Sequence, residues 1–191
     1  MKKITIPVNV SVVSHMTDLI PDPAPERRFD SVTEFAPGYE SNITGVNDHF
    51  DFMRDSSTYS GEGDTDDIEF GTNGVLTVTD STVEIRYREN EQLGMSGIES
   101  LLRFRKDSPG MINLIRKGAS PTSMIFDGEI RRRLCTYSIG EAAFDFVIIT
   151  NSVTNEFSND RGVIKLDYVI EIHGVETEHN VYTLTFSPKE G

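Results

Sequence analysis

Arg116 is the residue whose type and position most need a chemical explanation. It follows Ile112 and Leu114 at every second position, so on a strand its guanidinium shares their apolar face. An unpaired buried charge is too costly to persist, so Arg116 needs either an acidic neighbour or an anionic guest. Glu89 and Asp167 are the acidic residues that could supply the partner. As a functional residue, Arg116 anchors a ligand carboxylate or phosphate. As a structural residue, it forms an ion pair or reaches water at a strand end, and this simpler account carries more weight.

Other constellations are weaker. Glu89 and Glu91 share a strand face, but a general acid–base pair needs environments that drive two pKa values apart. His173, Glu176, Glu178 and His179 surround a predicted turn, yet no strict metal-ligand spacing is present. The acidic run from Glu62 to Asp67 lacks the regular spacing and distal glutamate of a calcium loop. Arg131, Arg132 and Arg133 alternate in direction on a strand, so they form no single anion patch. Cys135 has no histidine near it in sequence and reads as a small buried hydrophobe. It is also the only cysteine, which excludes an intrachain disulfide. No catalytic set, metal site or cofactor motif emerges, and the chain is not expected to be an enzyme.

The elements that would position these residues are strands. Ile4, Ile6, Val8, Val10 and Val12 alternate with Thr5, Asn9 and Ser11. Val75 to Thr79 and Val83 to Tyr87 flank Asp80-Ser81, a two-residue hairpin signal. Further strands are predicted at Ile98 to Phe104, Met111 to Lys117 and Met124 to Phe126. Others follow at Ile130 to Tyr137, around Phe144 to Ile148, at Leu166 to Ile172, and at Val181 to Phe186. Asp107 to Gly110 reads as a loop, Asp127-Gly128 as a tight hairpin, and Gly174 as a turn. Short turns make sequential antiparallel neighbours, and closure of the meander removes its exposed edges. The expected fold is therefore all-β: a closed antiparallel up-and-down barrel of about 8–10 strands.

Charge divides the chain unevenly. Residues 17–69 hold 14 acidic and 3 basic side chains, a net −11, while the other 17 acidic and 15 basic residues leave −2. Pro21, Pro23 and Pro25 cannot sit in a ladder, and Ser56 to Asp64 reads as a linker. Phe29, Phe35, Tyr39, Phe50, Phe52 and Tyr59 are more aromatics than a disordered tract usually holds. The reading is one domain over 1–191, with barrel segments 1–16 and 65–187 and an acidic insertion, 17–64, that partly docks on it. The acidity argues against nucleic-acid binding. No signal peptide or membrane span is predicted, so the expected location is cytoplasmic.

The order of several short motifs resembles the YwiB-like family of uncharacterised bacterial proteins. Asp67-Ile68-Glu69-Phe70 with Thr72 and Gly74 carries part of the likeness. Tyr87-Arg88-Glu89-Asn90-Glu91, then Leu93-Gly94-Met95 and Gly97, carries more. Arg116, Gly118, Met124, Phe126, Gly128, Gly140, Gly162 and Leu166-Asp167-Tyr168 complete it. The resemblance implies a calycin-like barrel, similar to lipocalins and fatty-acid-binding proteins, and no established activity. Two departures stand out. The acidic insertion replaces a short connection, and Cys135-Thr136-Tyr137-Ser138-Ile139-Gly140 stands where the family tends to carry Tyr-x-Thr-Pro-Tyr-Gly.

The first expectation for function is a non-enzymatic barrel holding a small, partly apolar or anionic ligand. Arg116, Tyr87, Glu89, Phe126 and Tyr168 are the candidate contacts, with Phe104, Phe144 and Phe146 as further interior aromatics. The alternative is a protein-interaction module, homodimeric or with another partner, using the acidic insertion or the outer sheet face.

Overall fold

Alternating residues close this chain into a barrel because each strand has one face that must leave water. The computed structural model describes residues 2–19, 65–89, 97–118, 121–139 and 142–189. Its strands are β1 (Ile4–Asp18), β2 (Thr65–Val78), β3 (Thr82–Arg88), β4 (Glu99–Arg105) and β5 (Ser108–Lys117). Then follow β6 (Thr122–Asp127), β7 (Arg132–Ile139), β8 (Ala142–Ser158), β9 (Arg161–Ile172) and β10 (Val175–Pro188). All neighbours are antiparallel, and β1 joins β10 to close the barrel. No helix occurs among the described residues, so none is long and apolar enough to cross a membrane.

The predicted alternation holds along most strands. Val8, Val10 and Val12 are buried while Thr5, Asn9 and Ser11 face out. Thr79 and Thr82 close a tight turn: the Thr79 N–H donates to Thr82 O at 2.9 Å, leaving Asp80-Ser81 as the loop. Gly174 turns the chain between β9 and β10 with φ +82°, beside His173 at φ 51°, a conformation glycine adopts without a Cβ penalty. Gly74 has a different task. A Cβ there would lie 2.7 Å from Val10 Cγ2 and 2.9 Å from Arg86 O, so its absence lets β1 and β3 crowd β2.

Three local expectations change. The loop predicted from Asp107 ends sooner, because β5 already begins at Ser108. Asp127-Gly128 does not form a tight hairpin. The Asp127 carboxylate instead accepts from the N–H groups of Glu129 and Ile130, at 2.9 and 3.0 Å, which holds a longer turn before β7. Phe144 is not interior: it is 37% exposed, because β8 pairs with β9 only from Val147 onward and nothing from β9 lies opposite it.

Between Thr150 and Ser152 the β8–β9 register slips at Asn151, and this bulge inverts the inward face of β8. Phe146, Ile148 and Thr150 point in before it; Val153 and Phe157 pack on the core after it. The lumen is thereby filled at one end. Phe157 meets Phe104 edge-on at 5.7 Å and stacks on Phe186 at 6.3 Å. Ile112, Phe126, Ile148, Ile164 and Leu184 belong to the same buried cluster.

Candidate functional site

The opposite end of the lumen is polar. The inward series Val83, Ile85, Tyr87 on β3 continues one residue past the strand to Glu89, whose N–H donates to Ile98 O at 3.0 Å. That bond prolongs the β3–β4 ladder and holds Glu89 inside. Register places Tyr87 beside Ser100 on β4, and Ser100 beside Arg116 on β5. Across the barrel, Tyr168 on β9 lies beside Asn180 on β10, and Tyr182 follows two residues later on the same inward face.

These side chains form two hydrogen-bonded groups, one around Glu89 and one between Tyr87 and Tyr182. Arg116 Nε donates to Glu89 Oε1 at 2.9 Å, and Ser100 Oγ donates to the same oxygen at 2.5 Å. The Glu89 side chain is 3% exposed and that of Arg116 is 21% exposed. The Tyr87 and Tyr182 hydroxyls share a hydrogen bond of 2.6 Å. Tyr168 is 7% exposed, its ring packs on Phe126 at 4.7 Å, and its hydroxyl bonds to no described residue. The two Nη groups of Arg116 likewise carry no hydrogen bond to a described residue.

Electrostatics follow from burial and from the ion pair. Burial, helped by the Glu89 carboxylate, pushes the Tyr87 phenol up to about 12, with Arg116 pulling the other way. Burial also raises Tyr168, against Arg116, and raises Tyr182 well above an ordinary tyrosine. Burial works against the Arg116 charge, but the Glu89 carboxylate leads the charges that outweigh it and raise the guanidinium. All three phenols are therefore neutral donors over the ordinary pH range.

The structure thus brings together Arg116, Tyr87, Glu89 and Tyr168. Phe126 lies beneath them, fully buried, as the support for the Tyr168 ring. Of the two acidic partners considered for Arg116, Glu89 is the one. Asp167 faces outward, where Asn151 Nδ2 and His179 Nε2 each lie 2.9 Å from its carboxylate. Those two contacts hold its carboxyl low although burial works to raise it. Ser100 and Tyr182 were missed by sequence reasoning. Both lay in plain alternation, Ser100 with Leu102 and Phe104, and Tyr182 with Leu184 and Phe186.

The remaining constellations resolve into separate contacts. Arg131 donates to Thr150 O, Arg132 to Glu171 and Arg133 to Asp127, so the three arginines serve three different partners. No group of metal-ligating side chains occurs among the described residues. Glu91 and residues 20–64 of the acidic insertion lie outside them. Cys135 is buried and free, and burial pushes its thiol up.

A search among curated proteins finds no match. Among solved structures, the chain is similar to the ywiB protein from Bacillus subtilis, known from its crystal structure. The two share 16% identity, with 97% of this chain and 94% of that one covered and a TM-score of 0.62. At that identity the likeness is one of fold. The family model described as "Domain of unknown function (DUF1934)" matches residues 55–184, from ahead of β2 to within β10. The chain, with its ten-stranded closed barrel, belongs to this DUF1934, YwiB-like family.

Proposed function

We propose that the barrel is a non-enzymatic binding protein that holds a small, partly apolar molecule by its polar head at the Arg116 end of the lumen. The observation that carries this reading is the Tyr168 hydroxyl. It sits on a buried residue, close enough to Arg116 to feel its charge, without a hydrogen-bond partner among the described residues. The hydroxyl is not fully enclosed and keeps access to solvent, so a guest's acceptor can reach it together with the Arg116 Nη groups. Phe126 backs the Tyr168 ring, and Phe70 lies 6.4 Å from Tyr87, so apolar side chains flank the polar end. The filled far end of the lumen favours a small guest. The raised phenols support holding over proton transfer, because general acid–base groups work best with pKa values near the operating pH.

Native mass spectrometry of the protein purified from its own host tests this reading. A non-covalent adduct is expected on the wild type and lost in both Tyr168→Phe and Arg116→Met. An adduct that survives both changes would place the ligand elsewhere.

A second reading is an interaction module that pairs two copies of the chain through the outer face of β7 and β8. Leu134 is 68% exposed there, opposite the half-buried Val147. A dimer in sedimentation velocity that becomes monomeric in Leu134→Asp would favour it over the first.

A further inference from the structure

We infer that the head group recognised at the polar end is uncharged and carries an acceptor beside a donor, as a carboxamide or a lactam does, and that free carboxylates and phosphates are disfavoured. This rests on the reading of the polar end as a ligand site and narrows the chemistry it accepts.

The argument begins with charge. Arg116 and Glu89 are 2.9 Å apart and sum to zero. An anion on the Arg116 Nη groups would meet the guanidinium first, with the Glu89 carboxylate a few ångströms farther off on the Nε side. Repulsion from Glu89 offsets part of the attraction, while the cost of drying the anion remains. A cation at Glu89 meets the same difficulty from Arg116.

Glu89 also cannot step aside. Its backbone N–H is held by Ile98 O, its Oε1 takes both Ser100 Oγ and Arg116 Nε, and its side chain is almost fully buried. Displacing it would strand a carboxylate in the lumen.

What the pair leaves available is complementary to an uncharged head. Arg116 Nη1 and Nη2 are donors without described acceptors, and Tyr168 adds a hydroxyl. Glu89 Oε2 receives no hydrogen bond from a described residue, although Oε1 receives two. Donors therefore stand beside an acceptor. A carboxamide offers its oxygen to the first and its N–H to the second. A site that hydrogen-bonds both ends rejects analogues that lack one of them.

Benzamide, benzoate and benzamidinium make matched probes: one planar ring, with a neutral, an anionic and a cationic head. Each is titrated into the full chain with tyrosine ring carbons labelled, and the Tyr168 and Tyr182 signals are followed by NMR. Benzamide is expected to bind the wild type at least about tenfold more tightly than either ion. Glu89→Gln keeps the shape and removes the compensating charge, so benzoate should become the preferred probe. Benzoate equal to or better than benzamide on the wild type would overturn the head-group inference and leave the site standing. An unchanged preference in Glu89→Gln would overturn it too, because the discrimination would not come from Glu89. If no probe moves Tyr168 or Tyr182 in either protein, the site itself is wrong and the inference falls with it. Should Glu89→Gln not fold, the order of the three probes on the wild type alone still decides.

Discussion

Arg116 and Glu89 are each tolerable in the lumen only with the other. Arg116→Met should leave Glu89 buried and unpaired and lower stability by about 3–5 kcal/mol in urea unfolding. The double variant Glu89→Leu/Arg116→Met removes both charges. It should recover most of that loss, since buried pairs exchange for apolar side chains nearly neutrally. A double variant no better than the single one would show that the pair does more than compensate itself. The phenols make a second prediction. A folded-state pKa raised above the unfolded value of about 10 means that the unfolded chain ionises first. The stability tied to Tyr87 is then complete below pH 10 and lost as pH rises through its folded value of about 12. Urea midpoints across that window should fall steadily, and less steeply in Tyr87→Phe.

At the scale of elements, the seam between β6 and β7 is the weakest join in the barrel. Among the described residues Thr122–Tyr137 and Ser123–Thr136 pair across it, and one flanking bond runs from the Ser138 N–H to Pro121 O at 3.1 Å. Further along, a side chain stands in for the missing ladder: Thr150 Oγ1, from β8, accepts the Asp127 N–H at 3.2 Å. Thr150 is fully buried, so Thr150→Val keeps its shape and orphans the Asp127 N–H. The expected cost is about 1–3 kcal/mol, with hydrogen exchange at Asp127 accelerating more than at Leu102 on the far side of the barrel. Equal acceleration at both amides would mean that the seam does not open separately.

For the whole molecule, closure depends on β1 reaching both neighbours. It pairs with β10 from Val8 to Asp18 and with β2 from Ile4 to Thr17. Thr17 lies directly opposite Thr65, so the chain leaves β1 and re-enters β2 at adjacent points. A short turn could join them, and loop closure costs only slightly more for a long connection than a short one. Replacing residues 20–64 by a brief glycine-containing turn should therefore preserve β-type circular dichroism and a cooperative melt. A broad, non-cooperative melt would make the acidic segment part of the barrel's core.

The alternation of apolar and polar residues was enough to determine most strands, most of their inward faces and the all-β class, because a period of two is a local property of an extended chain. The inward direction of Tyr87, Arg116 and Tyr168 follows from the same rule. Local chemistry misled where a distant group competed for it. Asp127-Gly128 reads as a hairpin, but the Asp127 carboxylate turns back on Glu129 and Ile130, and Thr150 replaces the ladder. The slip at Asn151 that brings Phe157 inward was equally hidden, since a bulge is defined only against its neighbouring strand. Only the tertiary structure chose Glu89 over Asp167 as the partner of Arg116. The two residues are 27 positions apart, and their meeting depends on the registers of β3, β4 and β5 and on the bond from Glu89 to Ile98. Sequence pattern sets which face a side chain takes; the closure of the sheet sets whom it meets there.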